Sequence, residues 1–374
     1  MTRRCQNCNL PEGKFNVILN DKGICNYCEY FEQNKAVVRN VAGRESLLVK
    51  RIQSLKGKYD YDALIGLSGG KDSTYVAYQM VKKYNFKVMA VTLDNGFLTD
   101  FARESIKKTV QKLGIEHVYY EPDWNIYRKF YKMCVRKMGN PCIACSIGGY
   151  FLSIKGCYEN KIPFFVHGRT PFQMFRNFYA NTRDAFLLLM KLNVMDHSFA
   201  ALSKVYGSVN EAMRQTIGAM ADSPQEAKEI TDEFFVDSSK LTDEFVPEFL
   251  SYFLFEEYDE ELIKKHIENV LGWRRPEGDN LLGHYDCALH DAAGYMYRRL
   301  HDVDILEPDV AVMVRFGAIS REKAKELTRL NQPTAVNTEK SLDALCALCN
   351  YTRADLEKNI AALKQAGINK FESL

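Results

Sequence analysis

A short apolar run, Ala63 to Leu67, passes directly into Ser68-Gly69-Gly70-Lys71-Asp72-Ser73 and then into an amphipathic segment, and no other stretch constrains the fold of this chain as tightly. The run has the length of a buried strand, the glycines mark a turn, and the periodicity after them is helical. A strand–turn–helix unit gathers free backbone N–H groups and the positive end of a helix dipole at one point, and glycine lets a ligand come close to the backbone there. Ser68 and Ser73 add hydroxyl donors and Lys71 adds a cation. The loop therefore reads as a cradle for phosphate. It is not a Walker A loop, because the G-x-x-x-x-G-K-[ST] spacing is not met.

The same alternation continues downstream. Strands are expected at 87–95, 117–122 and 162–168, with helices over about 100–113 and 125–138 between them. Strands alternating with helices imply a parallel, doubly wound, Rossmann-like α/β sheet with right-handed crossovers. Open sheets of this kind bind ligands beyond the carboxyl ends of their strands. Thr92-Leu93-Asp94-Asn95 and His167-Gly168-Arg169-Thr170 fall at such ends. Residues 34–58 read as helical. Residues 184–250 are rich in Leu, Met and Ala at helical spacing, and 256–273, 285–330 and 339–372 read as further helices. The expected organisation is 1–40, a small cysteine ribbon; 41–183, the α/β core; 184–255, a helical insertion; and 256–374, a helical region contributing to the active site.

Eleven cysteines in a chain whose start, MTRRCQNCNL, is polar and lacks an apolar leader favour metal or catalytic thiols over disulfides. Cys5-x2-Cys8 and Cys25-x2-Cys28 are separated by sixteen residues that read as a hairpin with Asp21 and Gly23 near its turn. Each pair can aim two thiolates at one ion, and two pairs complete a tetrahedral zinc site. Pro141-Cys142-Ile143-Ala144-Cys145 is a third C-x-x-C, close to the expected ligand edge of the sheet. Cys287 is flanked by His284, Asp286, His290 and Asp291. Soft thiolates there suit an iron–sulfur cluster or zinc, and a redox-active pair is the alternative. Cys346 and Cys349 lie in an amphipathic helix and read as core, as do Cys134 and Cys157. Arg274 and Arg275 stand in a loop where they could grip an anionic substrate.

Charge narrows the partners. With 50 basic and 48 acidic residues the chain is near neutral, which favours a small-molecule acceptor over RNA. There is no run of about 18 apolar residues, so no membrane span is expected, and the expected location is the cytoplasm.

The SGGKDS loop in its strand–helix setting resembles the signature of the PP-loop ATP pyrophosphatase superfamily, the adenine nucleotide alpha-hydrolase-like proteins. The resemblance implies ATP and Mg2+ as ligands, cleavage between the α- and β-phosphates, and activation of a substrate oxygen as an adenylate. It implies ATP contacts at Ser68, Gly69, Gly70, Lys71, Asp72, Ser73, Thr92, Leu93, Asp94, Asn95, Gly168 and Arg169, with Lys71 and Asp72 catalytic. The wider chain is similar to N-acetyl sugar amidotransferases of that superfamily, through the ribbon, SGGKDS, the TLDNGF turn, GWRRP and MVRFGAISREKAKEL. That likeness implies amidation of an acetamido sugar with ammonia from a glutaminase partner. The C-x-x-C departs from it and resembles the sulfur-inserting members. There Cys142, Cys145 and Cys287 would hold a [4Fe-4S] cluster, Cys142 and Cys145 would be catalytic, and a sulfur donor would act as partner. Thiolation is the favoured expectation. Amidation and a non-catalytic nucleotide-binding regulator are the alternatives, and the superfamily's frequent pairing makes a homodimer a further expectation.

Overall fold

Ala63–Gly66 forms β1 at the middle of a five-stranded sheet ordered β3-β2-β1-β4-β5, every pair parallel. The other strands are Val88–Leu93 (β2), Glu116–Tyr120 (β3), Phe164–His167 (β4) and Glu248–Ser251 (β5). The computed structural model describes residues 2–39, 41–175, 199–237, 245–274, 285–330 and 335–367. Side chains on the strands alternate between two cores, as a pleated strand requires. Ala63, Ile65, Val88, Ala90, Phe164, Val166 and Leu250 point to one face. They pack there with α3 (Lys71–Tyr78, prolonged by one π-helical turn, Gln79–Lys83), α4 (Asp100–Leu113) and a helix at Glu260–Leu271. Leu64, Phe165, Met89, Val91 and Phe249 point to the other, against α6 (Cys142–Glu159).

Two helices precede β1, α1 (Asn26–Arg39) and α2 (Val41–Leu55), where the sequence reads as one helix from residue 34. The remaining helices are α5 (Trp124–Met138), α7 (Pro171–Phe175), α8 (Phe199–Met220), α9 (Pro224–Phe234), α10 (Glu260–Leu271), α11 (His290–His301), α12 (Glu307–Phe316), α13 (Arg321–Leu330), α14 (Ala335–Cys349) and α15 (Arg353–Gln365). A second core joins α5, α6, α9, α11, α14 and α15 around Tyr127, Phe130, Tyr131, Phe234, Met296, Leu345 and Ile360. Cys134, Cys346 and Cys349 are buried in it, and Cys157 is buried under the sheet. Among the described residues no helix is long and apolar enough to cross a membrane.

One expectation is corrected here. The helical insertion does not run to residue 255, because 248–251 form β5, registered on β4 as Phe164↔Glu248 through His167↔Ser251. Glu248-Phe249-Leu250-Ser251 is only four residues long and almost wholly buried, so it lacks the apolar/polar alternation that marks a half-exposed strand. Glu248 is nearly sealed from solvent and is held by Arg51 of α2, which pins this edge to the N-terminal helices.

The N-terminal ribbon docks on the C-terminal helices. Leu10, Phe15 and Val17 share a small core with Tyr297, Val303 and Ala311. Arg4 pairs with Glu307 at 2.9 Å, and Arg321 Nε donates to the Cys5 carbonyl at 3.3 Å.

Candidate functional site

The strand order reverses direction of travel at β1, with β2 on one side and β4 on the other, so the carboxyl ends of β1 and β4 open the crevice where such sheets take ligands. The loop Ser68–Gly70 occupies that crevice and α3 starts directly behind it. Its shape is heavily determined. Gly69 has φ +81°, a conformation that glycine adopts without strain, and a Cβ there would lie 2.6 Å from the Ala102 carbonyl oxygen of α4. The Gly69 carbonyl accepts from Ser105 Oγ at 2.7 Å and from Trp273 Nε1 at 3.2 Å. Ser68 N donates to Ser73 Oγ at 3.2 Å, and the two hydroxyls lie 3.2 Å apart. From the β4 side, Gly168 presses on the start of α3, and a Cβ there would lie 3.0 Å from the Asp72 carbonyl and from Ser73 N.

Charge is arranged around this loop. Lys71 Nζ lies 2.9 Å from Asp72 Oδ2 and 3.9 Å from Glu260 Oε1. Tyr258 donates its hydroxyl to Asp72 Oδ1 at 3.1 Å. Burial raises the Asp72 carboxyl above the usual range against the opposing pull of Lys71. Arg169 lies over the Tyr150 ring at 4.4 Å, and its backbone N–H donates to His167 Nδ1 at 3.3 Å. His167 is buried, shares a hydrogen bond of 2.7 Å with Ser251, and is kept neutral by burial and then by Arg169.

The thiols come to the same edge. Cys142 and Cys145 occupy the first turn of α6, one helical turn apart and therefore on one face. Segment 285–288 runs alongside 97–99: Leu98 bridges Cys287, Ala288 N donates to Phe97 O at 2.9 Å, and Thr99 N donates to Asp286 O at 3.2 Å. That pairing carries Cys287 to Asn95. The Asn95 amide donates to Cys145 Sγ at 3.4 Å and to Cys287 Sγ at 3.6 Å. Its orientation is set by Oδ1, which accepts from Phe97 N at 2.8 Å, so the NH2 group is the end that faces the sulfurs. Burial raises both thiols above their ordinary range, with Asn95 and Tyr127 pulling Cys145 down and Cys145 and Cys142 pushing Cys287 further up. Asp286, one residue from Cys287, is held by the pairing of its carbonyl with Thr99 N, and burial raises its carboxyl above the usual range against the opposing influence of Ser68 and Lys71. The thiol pocket and the phosphate loop thus share a wall.

The other expected site residues make contacts of their own within the protein. Asp94 accepts from Gly96 N at 3.0 Å and pairs with Arg103 at 2.9 Å. Asn95 serves the thiols, and the Thr92 hydroxyl ties β2 to Leu67 O and to His117. Leu93 packs against Gly148 and Gly149 of α6. Asp291 and His290 begin α11. Arg274 is exposed, while Arg275 and His284 lie outside the described residues. Sequence reasoning missed Ser105, Trp273, Tyr258 and Glu260, whose roles arise from chain segments far from the loop they support.

Trp273 offers a direct check. Trp273→Phe keeps the buried ring but removes the donor to Gly69, and a lost hydrogen bond is worth about 1 kcal/mol. Ser105 still holds the carbonyl, so nucleotide binding is expected to weaken several-fold with the fold intact, as a titration of ATP monitored by calorimetry would show.

The ribbon thiols form a cage of a different kind. Cys5, Cys8, Cys25 and Cys28 are buried and all lie within 4.8 Å of one another. Cys8 and Cys25 are 3.6 Å apart and Cys5 and Cys28 3.9 Å. A zinc–sulfur tetrahedron with bonds of about 2.3 Å has edges of about 3.8 Å, so the four thiols fit one zinc ion. Among the described residues no other group of cysteine, histidine or acidic side chains closes this tightly. Cys142, Cys145 and Cys287 are not among the groups that close on one ion in this way. As soft donors, three thiolates could each bind a separate iron of a multi-iron cluster.

No protein-family model matches the chain, and no curated protein does. Among solved structures it is similar to the U34-tRNA thiolase NcsA from Methanococcus maripaludis with its [4Fe-4S] cluster, at 17% identity over 87% of this chain and 88% of that one, with a TM-score of 0.34. It is also similar to NMN synthetase from Francisella tularensis, at 12% identity over 84% of this chain and 94% of that one, with a TM-score of 0.30.

Proposed function

We propose that this protein is an ATP-dependent enzyme of the PP-loop type that adenylates a carbonyl oxygen and replaces it with sulfur. One observation carries the reading: Cys145 and Cys287 converge on Asn95, just beyond the end of β2, which pairs with β1, the strand from which the phosphate loop departs. Activation and thiol chemistry then meet in one crevice.

The substrate's carbonyl oxygen attacks the α-phosphorus of ATP. The bond from that phosphorus to the bridging oxygen breaks, and pyrophosphate leaves with the electron pair. The loop N–H groups, Ser68, Ser73 and Lys71 stabilise the charge that grows on the departing phosphates. Lys71, held between Asp72 and Glu260 when no nucleotide is bound, exchanges those carboxylates for phosphate oxygens. Asp72 would supply a hard oxygen donor for the Mg2+ that accompanies ATP. The oxygen now sits on carbon as an AMP ester, a good leaving group. A sulfur nucleophile adds to that carbon and AMP departs with the former carbonyl oxygen. A cluster held by Cys142, Cys145 and Cys287 would supply the sulfide-binding iron. Asn95 donates hydrogen bonds to anionic sulfur there, and Asp286, its carboxyl raised by burial, can hold a proton. The near-neutral chain favours a small thioamide precursor as acceptor, with a separate protein as sulfur donor.

Anaerobic purification followed by iron, sulfide and zinc analysis tests this. Wild type is expected to hold about four irons and four labile sulfides beside one zinc, as a [4Fe-4S] cluster and a closed zinc site require. Cys145→Ala and Cys287→Ala should each lose the iron and keep the zinc, with ATP–pyrophosphate exchange retained. One zinc and no iron after reconstitution would remove sulfur transfer. Ammonia-dependent amidation of an acetamido sugar with a glutaminase partner would then replace it. ATP binding without pyrophosphate release on any acceptor would point instead to a nucleotide-binding regulator.

A further inference from the structure

β4 and β5 each end on a buried polar side chain, His167 and Ser251, registered opposite one another. Buried polar groups are held by hydrogen bonds, and this pair is joined to more than itself. His167 Nε2 and Ser251 Oγ lie 2.7 Å apart, and Arg169 N donates to His167 Nδ1 at 3.3 Å. An N–H aimed at Nδ1 requires that nitrogen to be bare, so the ring proton sits on Nε2 and is donated to Ser251. The serine hydroxyl is then free to give its own hydrogen to Met174 Sδ of α7, 3.6 Å away. The donors run in one direction, from Arg169 N–H to His167 to Ser251 to Met174. An imidazolium would set one N–H against another and break the chain at its first link.

This chain of donors closes on the turn between β4 and α7. Thr170 N donates to Gln173 Oε1 at 3.1 Å and Gln173 N to Thr170 Oγ1 at 3.2 Å, a reciprocal cap on α7. The relay fastens the same turn at Arg169 N and again at Met174. On its other side Gly168 lies against α3, where an added Cβ would stand 3.0 Å from the Asp72 carbonyl and from Ser73 N. The Arg169 guanidinium lies over Tyr150 of α6, and Tyr150 packs in turn on His167 and on Phe249 of β5. A turn tied at its backbone to buried groups and wedged on the first turn of α3 cannot shift without pressing on Asp72 and Ser73. We propose that His167 and Ser251 are positioning residues of the nucleotide site, which clamp turn 168–170 as the second wall of the phosphate crevice. Their role rests on the reading of that crevice as an ATP site. Both act through the backbone of the turn, and neither has to touch the nucleotide.

Calorimetric titration of the full chain with ATP and Mg2+ tests this, with thermal melts of the same samples. His167→Asn keeps an acceptor at the δ position for Arg169 N and loses the link to Ser251. His167→Gln has no acceptor at the δ position but carries a polar end toward Ser251. Ser251→Ala removes the far partner. His167→Gln is expected to bind ATP about tenfold weaker, the upper range for one lost hydrogen bond, and Ser251→Ala about threefold weaker. His167→Asn should stay within about twofold of wild type while melting as low as His167→Gln, because only the bond to the turn bears on the ligand. A pair that merely stabilised the sheet would not separate affinity from melting in this way. Nitrogen-15 spectra of histidine-labelled protein should show His167 with its proton on Nε2. The proposal is overturned by unchanged affinity in all three folded variants, by affinity that follows melting temperature across them, or by a His167 proton on Nδ1. Should His167→Gln fail to fold, Ser251→Ala decides, and an affinity equal to wild type overturns the role. Wild type that binds no ATP removes the crevice reading and this role together, whereas wild-type binding with unaffected variants removes this role alone.

Discussion

Gly69→Ala is expected to abolish nucleotide binding, with at least a hundredfold loss in ATP affinity and a melting temperature lower by several degrees, whereas Gly70→Ala in the same loop leaves stability near wild type. The two glycines differ in what surrounds them. Gly69 has φ +81°, and a non-glycine residue in the left-handed region costs roughly 1–2 kcal/mol by itself. The added Cβ would also lie 2.6 Å from the Ala102 carbonyl oxygen and 3.0 Å from its Cα, backbone atoms in the first turn of α4 that cannot swing aside. Relief requires the loop to lift from α4, which breaks the hydrogen bonds from Ser105 and Trp273 to the Gly69 carbonyl. The N–H groups then no longer converge on a phosphate. Gly70 has φ −70°, open to any residue, and its nearest neighbour is Ser68 Oγ at 3.4 Å. Alanine there is tolerated by the empty loop and affects only the approach of the ligand. Thermal melts and ATP titrations on both variants decide the matter. A Gly69→Ala protein that binds ATP normally would show that the loop does not cradle phosphate in this conformation.

Zinc removal is the second large effect. Within residues 2–28 the ribbon buries Leu10, Phe15, Val17 and little else apart from its cysteines and Tyr27, far too small a core to order a segment of that length without a cross-link. Metal binding must supply the missing free energy, and structural zinc in comparable small units contributes about 10–16 kcal/mol in apparent terms. Cys25→Ser, or chelation of the wild type, should free the ribbon and break Arg4–Glu307 and the Arg321 contact to the Cys5 carbonyl. Tyr297, Val303 and Ala311 on and beside α11 and α12 would be uncovered. The expected readout is rapid proteolysis within 2–28 and a melting temperature lower by more than about 10 °C, given how steeply stability maps onto melting for domains of this size. The sheet core, which makes none of these contacts, should keep its circular dichroism. The sign with pH follows from ligand chemistry: protons compete for the thiolates, so zinc is retained at neutral pH and released as pH falls. A zinc-free chain with an unchanged melt and cleavage pattern would refute a structural role for the metal.

Where the structure departs from a sequence reading, the cause is long range. β5 was read as part of a helical stretch because EFLS is short, almost wholly buried, and carries no period of its own. Asp94 and Asn95 stand at the strand end where a nucleotide contact was expected, yet the side chain of Asn95 turns to sulfur. Nothing local to TLDNGF announces this, because Cys145 and Cys287 are 50 and 192 residues away from it. Trp273 was visible only as part of a loop rich in arginine, whereas its indole supports a glycine 204 residues earlier.

By itself the sequence determined the order of strands and helices through β4, the phosphate loop, and the two cysteine pairs of the ribbon. These rest on local patterns: the period of apolar residues, the conformational freedom of glycine, and the reach of two thiols separated by two residues. The tertiary structure alone decided that β5 completes the sheet, that Asn95 gathers two distant thiols, and that the ribbon seats its small core against α11 and α12. Each of these depends on crossover connections that bring remote segments to one edge or one face, and the interactions they create are side-chain contacts with no fixed spacing along the chain.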